Sequence, residues 1–78
     1  MEEATYYAII PPQVRYDKEL SANEKLLYGE ITALSSKSGL CWATNKYFSE
    51  LYGVETRTIR RWIEHLVERG YVYRAVEY

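Results

Sequence analysis

Residues 53–72 read GVETRTIRRWIEHLVERGYV. The stretch holds four arginines, and three of them, Arg57, Arg60 and Arg61, fall within five residues. Ile59, Trp62, Ile63 and Leu66 recur at spacings of three, one and three, which marks one face of an α-helix. The pattern predicts a helix over 56–69 with Gly70 as its C-terminal stop. Arg57, Arg60, Arg61, Glu64 and Glu68 fall on the opposite face. Residues 56–61 contain no acid. The whole chain nevertheless has a net charge of only −1, so positive charge is gathered at the start of one helix.

Working outward, Gly53 and Val54 make a tight turn. Thr44 reads as the N-cap of a helix over 45–52, with Phe48, Leu51 and Tyr52 facing inward. Further upstream, Ser21-Ala22-Asn23-Glu24 is a capping box, in which the serine hydroxyl and the glutamate side chain each serve the other's backbone N–H. A helix over 22–36 follows. Leu27, Ile31 and Leu34 form its apolar stripe, with Leu26 alongside. Ser35-Ser36-Lys37-Ser38-Gly39 ends it, with Gly39 free to turn left-handed. Residues 6–10 are short, apolar and β-favouring, and Pro11-Pro12 stops them because proline cannot donate to a ladder. Residues 13–20 read as a connecting loop. Residues 40–42 read as a very short strand, and 71–76 alternate like a strand. Residues 1–5 read as a frayed end. The expected order is strand, helix, strand, helix, turn, helix, strand: mostly α with a small β component, in a single domain over 1–78.

Composition bounds the function. At 78 residues, 47% hydrophobic and 27% charged, the chain is one ordinary globular domain. One cysteine, Cys41, excludes a disulfide scaffold and a cysteine-rich zinc site. One histidine, His65, assembles no metal site and has no serine or cysteine partner at a suggestive spacing. There is no Gly-rich phosphate loop and no triad-like arrangement, so an enzyme is not expected, nor is a cofactor. No apolar run approaches a membrane span and no signal-peptide pattern opens the chain, which makes the cytoplasm the expected compartment. Nine tyrosines suit a small core lying close to water, although tyrosine can also stack on bases or fill an interface. Residues 1–30 hold six acids and three bases, whereas 31–78 hold seven bases and five acids. The basic surface is local.

Two helices joined by a short glycine-containing turn, the second with an exposed basic start, make a helix-turn-helix plan. A helix fits the major groove of B-DNA, and its first residues reach the base edges. Its N-terminal N–H groups and dipole favour phosphate. Arg57 and Arg61 lie four apart and share a face, with Arg60 adjacent. The i,i+4 pairs are Arg60–Glu64, Arg61–His65 and Arg57–Arg61, of which only the first is attractive. Trp42 and Trp62 read as core anchors, Cys41 as a small buried hydrophobe and His65 as a surface residue. Tyr47 could equally pack or point outward.

The run Thr44-Asn45-Lys46-Tyr47-Phe48-Ser49-Glu50-Leu51-Tyr52-Gly53-Val54-Glu55-Thr56-Arg57-Thr58-Ile59-Arg60-Arg61-Trp62-Ile63, followed by Leu66 and Gly70-Tyr71-Val72, resembles the winged helix-turn-helix pattern. With the helix begun by Ser21-Ala22-Asn23-Glu24, the resemblance spans roughly 7–76. It is then most similar to the N-terminal domains of phage and plasmid replication initiators, the replisome organisers and DnaD-like primosomal proteins. The resemblance implies sequence-specific binding of double-stranded DNA in replication initiation or primosome assembly. Thr56, Arg57, Thr58, Arg60 and Arg61 match the face that reads DNA in such domains, Thr44, Asn45 and Lys46 match the start of the supporting helix that touches phosphate, and Arg74 falls on the first wing strand. Of these, Thr56, Arg57 and Arg60 are the candidates for base edges, and Arg61, Thr58, Lys46, Asn45 and Thr44 those for phosphate. Glu55 departs from the pattern, which usually has serine there, and Ser49 stands for a small apolar residue. The wing is incomplete, since no residues remain for its second strand. The expectation is therefore a piece of a longer protein, whose absent C-terminal region contacts other replication proteins, or a strand at 71–76 that pairs with 6–10, with 40–42 or with another chain. The competing expectations are a transcriptional regulator of the same fold and an oligomerisation or protein-interaction module that self-associates through edge strands.

Overall fold

The computed structural model describes residues 7–35 and 43–73. Among these residues four helices run in order: α1 (Pro12–Arg15), α2 (Ala22–Ala33), α3 (Asn45–Tyr52) and α4 (Thr56–Glu68). α4 is the hub and packs against both α2 and α3. Val14, Leu20, Leu27, Leu34, Phe48, Ile59 and Leu66 form the buried core. Trp62 is partly buried against it, with its ring edge-on to Tyr52 at 6.0 Å. Trp42 and Cys41 lie outside the described residues.

The expected loop at 13–20 begins instead as a helical turn. Pro12 sits at the start of α1, where its missing N–H costs nothing and its fixed φ suits a helix. Arg15 and Tyr16 N–H donate to the Pro11 and Pro12 carbonyls at 2.8 and 2.9 Å. The turn drives Val14 fully into the core.

The capping box of α2 forms as expected. Ser21 Oγ accepts from Glu24 N–H at 3.2 Å, and Glu24 Oε1 accepts from Ser21 N–H at 2.8 Å. The helix ends at Ala33 rather than 36. Its last turn closes with the Leu34 and Ser35 N–H groups on the Glu30 and Thr32 carbonyls, and the Ser35 hydroxyl donates to the Ile31 carbonyl at 2.7 Å, so no glycine is needed there. The Gly39 stop and the strand at 40–42 lie outside the described residues. Leu27 and Leu34 are buried, but Leu26 is turned to solvent.

The strands expected at both ends do not form among the described residues. Residues 7–10 lie across α2, and a Cβ added to Gly29 would stand 2.8 Å from the Ala8 Cβ. That close approach of segment to helix takes the place of a ladder. Residues 71–73 are irregular because Tyr71 completes the end of α4. Its N–H donates to the Leu66 carbonyl at 3.0 Å while Gly70 N–H donates to Val67 at 2.9 Å. Gly70 takes φ +84°, which gives the left-handed helix stop. The remaining β feature among the described residues is an isolated bridge at Ser35.

Candidate nucleic-acid interface

α3 and α4 are joined by a three-residue turn, Gly53, Val54 and Glu55. Gly53 has φ +69°, a conformation that favours glycine. Gly53 and Val54 N–H both donate to the Ser49 carbonyl, and the Ser49 hydroxyl donates to the Val54 carbonyl. Ser49, which departs from the winged-helix pattern, thus braces the turn that fixes α4 relative to α3.

Thr44 caps α3, its hydroxyl accepting from Tyr47 N–H at 3.1 Å. Thr44, Asn45 and Lys46 are exposed at that helix start. Tyr47 is half-buried and packs edge-on to Phe48 at 5.5 Å, which settles its direction toward packing. On α4, Thr56, Arg57, Arg60 and Arg61 are exposed, whereas Thr58 is half-buried at the flank of the apolar face. Ile59 and Leu66 are fully buried beneath them, which turns the arginines outward. The structure thus places eight of the nine expected site residues at the N-cap and first two turns of two helices that pack together. The ninth, Arg74, lies outside the described residues.

The start of α4 differs from those of α2 and α3. Its N-cap is Glu55, whose side chain makes no capping hydrogen bond. The carboxylate instead accepts from Arg57 Nε at 3.1 Å, with the two side chains 74% and 76% exposed.

The far half of α4 is tied down by two polar contacts that sequence reasoning missed. His65, expected at the surface, is half-buried and hydrogen-bonded through Nδ1 to Glu24 Oε2 at 2.9 Å. Glu24 already uses its other oxygen in the capping box and is buried, so its second oxygen needs a donor. No local pattern reveals this, because the pair is 41 residues apart.

The second tie centres on Asp17, whose side chain is 5% exposed. Its Oδ2 accepts from Arg69 Nε and Nη2 at 3.1 and 2.9 Å and from the Tyr71 hydroxyl at 2.7 Å. Its Oδ1 accepts from Glu19 N–H at 2.8 Å. The Tyr71 hydrogen bond, then the Glu19 N–H and Arg69, hold the Asp17 carboxyl down at about 2. The same carboxylate pushes Arg69 and Tyr71 upward. The Tyr71 ring also meets Tyr28 of α2 edge-on at 6.1 Å. An aspartate two residues before a turn N–H is a recognisable local signal, and it could have flagged Asp17.

No helix among the described residues is long and apolar enough to cross a membrane. A family described as a helix-turn-helix domain matches residues 18–72, which takes in α2, α3, α4 and the turn between the last two. No curated protein matches the chain. No solved structure matches it either.

Proposed function

Because the chain belongs to the helix-turn-helix domain family, we propose that it binds double-stranded DNA with α4 in the major groove. The observation that carries this reading is the outward face at the start of α4, where Thr56, Arg57, Arg60 and Arg61 stand exposed over a buried Ile59. Thr56, Arg57 and Arg60 reach base edges, as the first turns of a recognition helix do. Arg61 binds phosphate together with Thr44, Asn45 and Lys46 at the start of α3. Thr58 contributes from the flank. The domain is a binding module rather than an enzyme, and it works in the cytoplasm.

Within DNA binding, replication initiation or primosome assembly is the finer role, supported by the resemblance over roughly 7–76. A transcriptional regulator of the same fold is the alternative. One observation favours a second reading, self-association. Tyr7 and Ile9 are 89% and 74% exposed, and they border a groove shared with Pro11, Tyr28, Thr32 and Ala33.

Fluorescence anisotropy with a labelled duplex, over a salt series, tests the primary reading. About four to six phosphate contacts give a slope of log K against log salt near −4 to −5. Arg57→Ala/Arg61→Ala flattens that slope. Absence of duplex binding at low salt by a folded wild type overturns it. A salt-resistant dimer that depends on Tyr7 would then favour the second reading.

A further inference from the structure

α2 and α3 begin with hydroxyl caps, Ser21 and Thr44. α4 begins with Glu55, which adopts the extended N-cap backbone at φ −73° and ψ 154° but leaves the capping role unfilled. Its carboxylate is committed to Arg57 Nε instead. At 74% and 76% exposure the pair adds little to stability. An acid at this place also weakens general attraction to a polyanion, since it stands among the groups that would meet phosphate. Glu55 therefore makes no capping hydrogen bond at the helix start and adds nothing to non-specific affinity.

What the pair does offer is orientation. Arginine is long and flexible, and its charge satisfies any nearby phosphate equally well. A carboxylate on Nε fixes the guanidinium plane and leaves the two terminal Nη groups to donate side by side. That is the arrangement that meets guanine O6 and N7. The second Glu55 oxygen suits the N4 amino group of a cytosine, which is the base contact expected of a carboxylate. The acid also disfavours a swing of Arg57 toward the backbone, because phosphate and carboxylate would then share one site.

Resting on the DNA-binding reading above, we propose that Glu55 is the specificity-determining residue of this domain, positioning Arg57 to read a G·C pair. Removing the carboxylate raises affinity for any duplex and lowers discrimination between duplexes.

The test begins with selection of preferred sequences by the full chain from a randomised duplex pool. Competition binding at one salt concentration then compares single base-pair substitutions for wild type, Arg57→Ala, Glu55→Gln and the double variant. Arg57→Ala is expected to relax preference at one G·C pair by roughly ten- to a hundredfold. Glu55→Gln keeps the side-chain size and an acceptor oxygen but removes the charge. It is expected to lose most of the preference at that same base pair while binding unrelated duplex more tightly, and the double variant adds no further loss. Thermal midpoints of Glu55→Gln and wild type stay together, which separates this effect from a structural one. Full preference retained by Glu55→Gln, or relaxation at a different base pair, overturns the proposal. Wild-type binding without any sequence preference also overturns it, while leaving DNA binding itself intact. Failure of the wild type to bind any duplex overturns both.

Discussion

Near the start of α4, Arg57 Nε lies 3.1 Å from the Glu55 carboxylate; just beyond its end, Arg69 Nε lies 3.1 Å from that of Asp17. The contacts share a residue type and a distance, but their carboxylates differ in surroundings. Glu55 is 74% exposed, Asp17 5%. Asp17 also accepts from a tyrosine hydroxyl and a backbone N–H. An exposed pair trades one hydration shell for another and contributes little. A desolvated carboxylate with every oxygen satisfied cannot lose a partner cheaply, because the remaining groups do not regain water. One end of α4 is therefore left exposed, and the other belongs to the fold.

The largest break in this comparison comes from the core under the anchored end. Leu66 is fully buried, and Leu66→Ala is expected to destabilise the domain by about 2–5 kcal/mol. Urea unfolding followed by circular dichroism measures it. At the free end, Arg57→Ala/Arg61→Ala is expected to lose about 1–3 kcal/mol of discrimination at one base pair through Arg57 and to weaken binding to all duplexes alike through Arg61, with unfolding left within about 0.5 kcal/mol of wild type. A loss of stability in the arginine variant comparable to that of Leu66→Ala would erase the distinction between the ends.

A pH experiment sharpens it. Asp17 is held at about 2, below its ordinary 3.8. A lowered carboxyl stabilises the folded state above the unfolded value, and that contribution is lost as pH falls through the folded one. Wild type should therefore lose stability progressively between about pH 4 and pH 2. Asp17→Asn should be less stable than wild type at neutral pH and should lack this share of the acid dependence. Parallel stability curves for the two proteins across that window would remove Asp17 from the anchoring role.

Sequence periodicity made much of this legible. The stripe of Ile59, Trp62, Ile63 and Leu66 defined α4, and Ser21, Thr44, Gly53 and Gly70 marked helix ends through local rules that hold whatever packs against them. The outward face of α4 followed from the same periodicity. The α1 turn is not legible from the sequence, because Pro12 suits a strand stop and a helix start equally well. The strands expected at 6–10 and 71–76 do not form over their described parts, 7–10 and 71–73, for a tertiary reason. Alternating apolar residues describe any extended segment with one covered face, and here the covering partner is α2 or the end of α4. His65 gives no local signal, because its partner lies 41 residues away; Asp17 shows one in the Glu19 N–H two residues on, but not its ties to Arg69 and Tyr71, 52 and 54 residues away. Glu55 was visible as an odd cap, but its turn toward Arg57 was not.

Between the two ends of α4, Tyr52 lies against Trp62, and its hydroxyl is buried without a hydrogen-bond partner. It belongs to neither end, so it measures the shared background on which both are built. Tyr52→Phe removes an unsatisfied polar atom and keeps the ring contact. Its expected effect is a gain of about 1 kcal/mol, since the hydroxyl gives up water on folding and receives nothing. Burial first, and the nearby Glu30 second, push the Tyr52 hydroxyl above its ordinary 10.0. A raised tyrosine favours folding below its unfolded value, and that contribution is lost as pH rises through the folded value. The gain from Tyr52→Phe should therefore widen above about pH 10, where unfolded wild type ionises and folded wild type resists. Urea midpoints for both proteins at neutral and at alkaline pH provide the check. A Tyr52→Phe variant less stable than wild type at neutral pH would mean that the hydroxyl is satisfied in solution, and the middle of α4 would then be held by polar contacts as its anchored end is.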